Sequence, residues 1–136
     1  MIDGFCLGGG LEIAMSCDLR IASDRTKLGQ PEINIGIIPG AGGTQRLTRL
    51  VGEGRAMEMI LTGRMVKAEE GLQYGILNFI FTHDELEEKT MEMAKKITEK
   101  SHYAIERAKQ SVKSVTNMNP REGLKFEREM FLESVF

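Results

Sequence analysis

An α/β fold with a helical C-terminal region is what this sequence predicts, on three observations. The glycine run Gly8-Gly9-Gly10 leads straight into an amphipathic helical pattern. Short period-two runs, Leu19–Ser23 and Lys27–Gly29, follow it with a turn at Asp24-Arg25 between them. From Gly52 onward the pattern is mostly helical. At 136 residues, 41% of them hydrophobic, the chain is one domain's worth, or part of a larger domain.

The elements follow in order. Met1-Ile2-Asp3 reads as the tail of a strand and Gly4 onward as a strand-to-helix loop, so the sequence is expected to lack its natural beginning. Leu11, Ile13, Ala14, Met15 and Cys17 cover most of a helix circumference, the pattern of a short buried helix that Asp18 ends. Pro31 blocks both ladder pairing and helix continuation beside Glu32. Pro39-Gly40-Ala41-Gly42-Gly43 is a second glycine-rich loop, and Thr44–Val51 a helix capped by Gly52. Helices are expected over Glu53–Leu61 and Lys67–Tyr74, the latter stopped by Gly75, and a buried strand over Ile76–Phe81. Thr82, with Glu85 at the capping-box position, opens a helix to about Lys100. Tyr103–Val115 is another helix, and Pro120 begins a last one that reaches Phe136 with apolar residues still to bury. No linker, repeat or low-complexity segment interrupts the chain, so residues 1–81 and 82–136 read as core and helical region of one domain.

Composition narrows the function. A net charge of −2, with basic residues interleaved among acids, gives no stripe for nucleic acid. No apolar run is long enough to cross a bilayer. Cys6 and Cys17 match no metal or redox spacing, and no signal peptide precedes them, so a reducing compartment is expected, cytoplasm or an organelle such as the mitochondrial matrix. His83 and His102, at helix starts on a polar background, read as solvated or capping side chains. Nine methionines without tryptophan make an adaptable core, not a metal site.

Chemistry concentrates in the two glycine-rich loops. A helix that opens on glycine presents unpaired backbone N–H groups with no side chain in the way, a site for negative charge. Such runs more often mark a tight turn, but Glu12 stands one helical turn on, placing a proton-transfer group beside oxyanion donors. Glu32 stands between Pro31 and the run Ile33-Asn34-Ile35-Gly36-Ile37-Ile38. It either faces solvent, the commoner state of a loop acid, or is partly desolvated, the state suited to proton exchange near neutrality. A dinucleotide site fails on spacing, because neither loop reads G-x-G-x-x-G or G-x-x-x-x-G-K-[ST].

Taken together, Gly4-Phe5-Cys6-Leu7-Gly8-Gly9-Gly10-Leu11-Glu12-Ile13-Ala14-Met15-Ser16-Cys17-Asp18, Gly29-Gln30-Pro31-Glu32, Ile38-Pro39-Gly40-Ala41-Gly42-Gly43-Thr44-Gln45-Arg46-Leu47 and Tyr74-Gly75-Ile76-Leu77-Asn78 closely resemble the crotonase (enoyl-CoA hydratase) family. The resemblance implies a partial ββα spiral, assembly as a trimer or dimer of trimers through the helical region, and an acyl-CoA thioester as ligand, with no cofactor beyond the substrate's own coenzyme A. It implies that Glu12 helps activate water for attack at the β-carbon and that Glu32 exchanges the α-proton. Gly9, beside Gly8, is the implied thioester-oxygen donor, and the Gly40 N–H the implied holder of the water. Relatives that isomerise, cleave or decarboxylate thioesters typically lack one of the two acids, so hydration of short-chain 2-enoyl-CoA, or the reverse dehydration, is the leading expectation and isomerase chemistry an alternative. Family members also carry a preceding segment with the second oxyanion donor and a further C-terminal helix, so the sequence resembles a hydratase truncated at both ends. An inert core or assembly fragment is therefore the other alternative. Asp3 stands where the family commonly has Asn, and Gly71 where it has Ala.

Overall fold

The computed structural model describes residues 1–135. They form two compact units, Met1–Thr90 and the residues from Met91 on. In the first unit the order is β1 (Phe5–Leu7), α1 (Gly9–Ser16), β2 (Ile21–Ser23), β3 (Lys27–Gly29), a 3₁₀ turn (Pro31–Ile35), α2 (Gly43–Val51), α3 (Glu53–Thr62), β4 (Met65–Lys67), α4 (Ala68–Gln73) and β5 (Phe79–Phe81). Helix α5 (Leu86–Thr98) follows, then α6 (His102–Ser114) and α7 (Pro120–Val135).

One sheet has the order β1-β3-β4. β1 runs parallel to β3 with Cys6 opposite Leu28, and β4 runs antiparallel with Val66 opposite Leu28. A parallel pair needs a crossover, and α1 with β2 supplies it. β2 and β5 pair in parallel as a second ribbon, and Ile2 bridges to Ala22 on it. The core is built from Leu11 of α1, Leu28 of β3, Leu47 of α2, Met59 of α3, Val66 of β4 and Ile76 after α4, all shut off from solvent. On α1 the buried positions are Leu11, Glu12 and Met15, so one of the helix's inward positions is an acid.

Several elements differ from the sequence expectation, each for a local reason. β1 occupies part of the expected loop because Cys6 packs inward and Phe5–Leu7 pairs with β3. β4 was not expected, since three residues carry no readable period. The strand expected over Ile76–Phe81 shortens to Phe79–Phe81, because the Ile76 and Leu77 N–H groups both donate to the Gly71 carbonyl at the end of α4. Likewise β2 starts at Ile21, after a buried Arg20 whose Nε donates to the Ile76 carbonyl and whose Nη1 donates to the Cys17 carbonyl 2.8 Å away. Pro31 opens a 3₁₀ turn that closes on Gly36 at φ 76°. The Thr82 hydroxyl donates to the Glu85 carboxylate at 2.5 Å, the Thr82 backbone N–H bonds to the same carboxylate, and α5 begins at Leu86.

In the second unit Ser101 caps α6 by accepting from the Ala104 N–H at 3.3 Å. Helices α6 and α7 pack together, with Arg107 Nε 2.7 Å from Glu133 Oε2. The expectation that the last helix reaches Phe136 concerns a residue outside the described ones. Among the described residues no helix is long and apolar enough to cross a membrane.

Asp3 ties the start of the chain to the second ribbon. Its Oδ1 accepts from Ser23 Oγ and Arg25 Nε, both at 2.7 Å, and its Oδ2 lies 2.5 Å from Arg25 Nη2 and 3.0 Å from His83 Nδ1. The Arg25 guanidinium, with the Ser23 hydroxyl, holds the carboxyl far below its ordinary value of 3.8. A depressed native value stabilises the fold fully above the unfolded value, and the contribution disappears as pH falls toward the native one. Asp3→Asn therefore narrows the stability gap between variant and wild type as pH drops below about 4. Urea unfolding at neutral and acid pH measures that gap, and a gap independent of pH contradicts the assignment.

Candidate active site

The first hydrogen bond of α1 runs from the Glu12 N–H to the Gly8 carbonyl at 3.0 Å, so the amides of Gly9, Gly10 and Leu11 lie ahead of the intrahelical ladder. Gly8 itself sits at φ 53°, a conformation that favours glycine, and its N–H donates to Gly29 at the end of β3. A side chain at Gly9 or Gly10 would meet open space, so the helix start is approachable. Positive potential at that end suits an oxygen that gains negative charge.

Glu12 does not point toward the N–H groups of its own helix. It is 4% exposed, and its Oε1 accepts from the Ala41 N–H at 2.8 Å and the Gly43 N–H at 2.7 Å. The second glycine-rich loop thus folds round the carboxylate of the first. Gly43 is required at that contact by space alone: a methyl there would lie 2.6 Å from Pro39 Cβ and 2.9 Å from Glu12 Oε1. Arg46, one turn along α2, secures the loop from the other side by donating from Nη1 to the Ala41 carbonyl at 2.7 Å. Gly40, one residue ahead of the Glu12 contact, is exposed with open space where a side chain would project.

Glu32 lies on the 3₁₀ turn and is half-buried, intermediate between the two states its sequence allowed. The isoleucines that follow it, Ile35, Ile37 and Ile38, are exposed. Its carboxylate turns back toward the start of α1, where a methyl built on Gly8 would lie 3.1 Å from Oε1. It also meets the amide of Gln30, whose nitrogen, in the orientation its neighbours require, donates to Oε1 at 2.8 Å and Oε2 at 3.0 Å.

The structure therefore brings Glu12, Glu32, Gly8 and the glycine loop Gly40–Gly43 into one neighbourhood, with the free N–H groups of α1 at its edge. Sequence reading did not single out Gln30, or the Ala41 and Gly43 amides that hold Glu12. A polar residue wedged between Gly29 and Pro31 was the available signal for Gln30. Nothing local marks the two amides, because they act across about thirty residues of chain. Among the described residues no cluster of His, Cys, Asp and Glu is fit to hold a metal ion.

Known proteins resemble this chain in sequence and in fold. A family model described as enoyl-CoA hydratase/isomerase matches residues 1–135. The short-chain-enoyl-CoA hydratase of Clostridium acetobutylicum is 46% identical over 132 residues, which are 97% of this chain and 51% of that protein. Enoyl-CoA hydratase subunit I from Geobacillus kaustophilus HTA426 superposes with a TM-score of 0.96 at 42% identity, covering 99% of this chain and 54% of that one. A Thermobifida fusca YX protein solved in complex with CoA gives 0.92 at 29% identity, covering 97% and 51%. The chain spans about half the length of the curated relatives it matches.

Proposed function

The chain belongs to the enoyl-CoA hydratase/isomerase family, and we propose that the protein adds water across the 2,3 double bond of short-chain enoyl-CoA thioesters, or removes it in the reverse direction. The observation that carries this reading is that two carboxylates on separate elements come near the same buried Gln30 amide, Glu32 by direct hydrogen bonds and Glu12 across the Gly43 position, while Glu32 also faces Gly8 at the start of α1.

Hydration of a conjugated thioester forms a C–O bond at C3 while the double-bond pair moves toward C2 and the thioester oxygen. The charge on that oxygen needs donors fixed in advance, a role that suits the Gly9 N–H with Gly8 beside it. Glu12 takes one proton from water as the remaining hydroxyl bonds to C3, and Glu32 gives one to C2, its proton being replaced by the one Glu12 took; the net reaction adds one H and one OH from a single water. The Gly40 N–H holds the attacking water. Clamping by two backbone amides leaves Glu12 little rotational freedom, which favours one direction of proton transfer. The preference for short acyl chains is supported by likeness to the Clostridium relative. Assembly as a trimer or dimer of trimers belongs to the same proposal and rests on family likeness.

Loss of the conjugated-thioester absorbance on adding crotonyl-CoA to the natively expressed protein tests the reading. Turnover to the 3-hydroxyacyl product is the expected result. A shifted double bond instead of a hydroxyl identifies isomerase chemistry, and binding of a CoA thioester without any turnover identifies an inert core.

A further inference from the structure

Arg46 stands one turn into α2 and spends both its main chain and its side chain on the loop that precedes the helix. Its N–H donates to the Gly42 carbonyl at 2.8 Å, and its Nη1 donates to the Ala41 carbonyl at 2.7 Å. To reach that carbonyl the guanidinium passes over Gly42, where an added methyl would lie 2.9 Å from Cζ, so a residue without a side chain leaves it room. On the other side of the same loop the Ala41 and Gly43 N–H groups both donate to Glu12 Oε1. Ala41 is therefore held at both ends, its amide on Glu12 and its carbonyl on Arg46.

That placement is not where a helix surface would put a cation for its own sake. A positive charge folded back over the first turn works against the helix dipole, which favours anions at that end. What the guanidinium gains there is the Ala41 carbonyl, and a hydrogen bond from a charged donor is stronger than one from a neutral group. Between Pro39 and Gly42 the chain has neither helix nor strand, so the direction of its N–H groups depends on what anchors it. Glu12 is clamped from this loop, whereas Glu32 is held separately, by the Gln30 amide.

We propose that Arg46 is a positioning residue for the water-adding step: through the Ala41 and Gly42 carbonyls it fixes the loop that clamps Glu12 and presents the Gly40 N–H, and it leaves the Glu32 step untouched. The inference rests on the hydratase reading given above. Arg46 touches neither substrate nor water in this role; it acts through the loop.

The test compares wild-type natively expressed protein with Arg46→Met, which keeps an apolar stem and a similar helix propensity and loses the donors. Two rates are followed, crotonyl-CoA hydration and deuterium uptake at the α-carbon of butyryl-CoA in D2O. The second needs Glu32 and the α1 amides but no attack by water. The expected result is a fall in hydration kcat on the order of 10- to 100-fold, with KM and α-exchange within about twofold. Arg46→Lys, which keeps the charge but not the planar fork, is expected to recover part of the hydration rate. Equal loss of both rates, or hydration as fast as in wild type, overturns the positioning role. A raised KM at unchanged kcat also overturns it, because Arg46 then contacts the ligand. Should Arg46→Met fail to fold, Arg46→Lys decides alone: a hydration loss larger than the α-exchange loss is expected, and matched losses, or none, overturn the proposal. Lack of crotonyl-CoA turnover by the wild type defeats the hydratase reading before any variant is compared, so the two failures are separable.

Discussion

Replacing Glu12 or Glu32 with glutamine is expected to lower crotonyl-CoA hydration by a factor on the order of 10² to 10⁴ for each acid. Glutamine is the informative choice at position 12. Its carbonyl oxygen can still accept from the Ala41 and Gly43 N–H groups, so the loop Gly40–Gly43 keeps its anchor and the loss is chemical. Glu12→Ala would instead strand two backbone donors, the Gly43 one buried, at a cost of about 1–3 kcal/mol each, and would mix folding with catalysis. At position 32 the new amide can pair with Gln30 if Gln30 turns over and accepts, so that variant also keeps its local contacts. Steady-state rates alongside thermal unfolding make the measurement. Unchanged hydration in both variants removes the acid/base assignment altogether.

Gly43→Ala, one methyl group, is expected to disable the site and weaken the fold together. The added carbon would sit 2.6 Å from Pro39 Cβ and 2.9 Å from both the Gln30 amide and Glu12 Oε1. Pro39 is buried and its ring cannot turn aside, so the strain is relieved by moving α2 or by expelling the Glu12 carboxylate. Overpacking of this kind costs about 1–3 kcal/mol. A displacement of the carboxylate by an ångström costs about 10²-fold in rate. Helix propensity alone would make alanine about 1 kcal/mol better than glycine inside a helix, so the two arguments predict opposite signs. Urea unfolding together with crotonyl-CoA hydration decides between them. A stabilised, fully active Gly43→Ala protein shows that the contacts round Glu12 are looser than described.

Alanine at Gly9 offers the contrast. There an added methyl meets open space, so its effect bears on ligand access rather than on packing.

The sequence by itself determined the α/β class, most of the helices and the identity of the family, because those are written in local patterns. Apolar spacing marks α2 and α3, glycines mark the helix ends at Gly52 and Gly63, and the motifs around Glu12, Glu32 and Gly40–Gly43 are contiguous. It also singled out Glu12 and Glu32 as the candidate acids. The tertiary structure alone decided where those acids point. Residue spacing set Glu12 beside the N–H groups of its own helix, whereas the folded chain delivers it to amides some thirty positions away. Likewise β4 exists only because β3 offers it an edge, and the buried Gln30 meets the Glu32 carboxylate only in the folded turn after β3. Hydrogen bonds between distant segments leave no period in the sequence, and a site assembled from such bonds becomes visible only after the chain has packed.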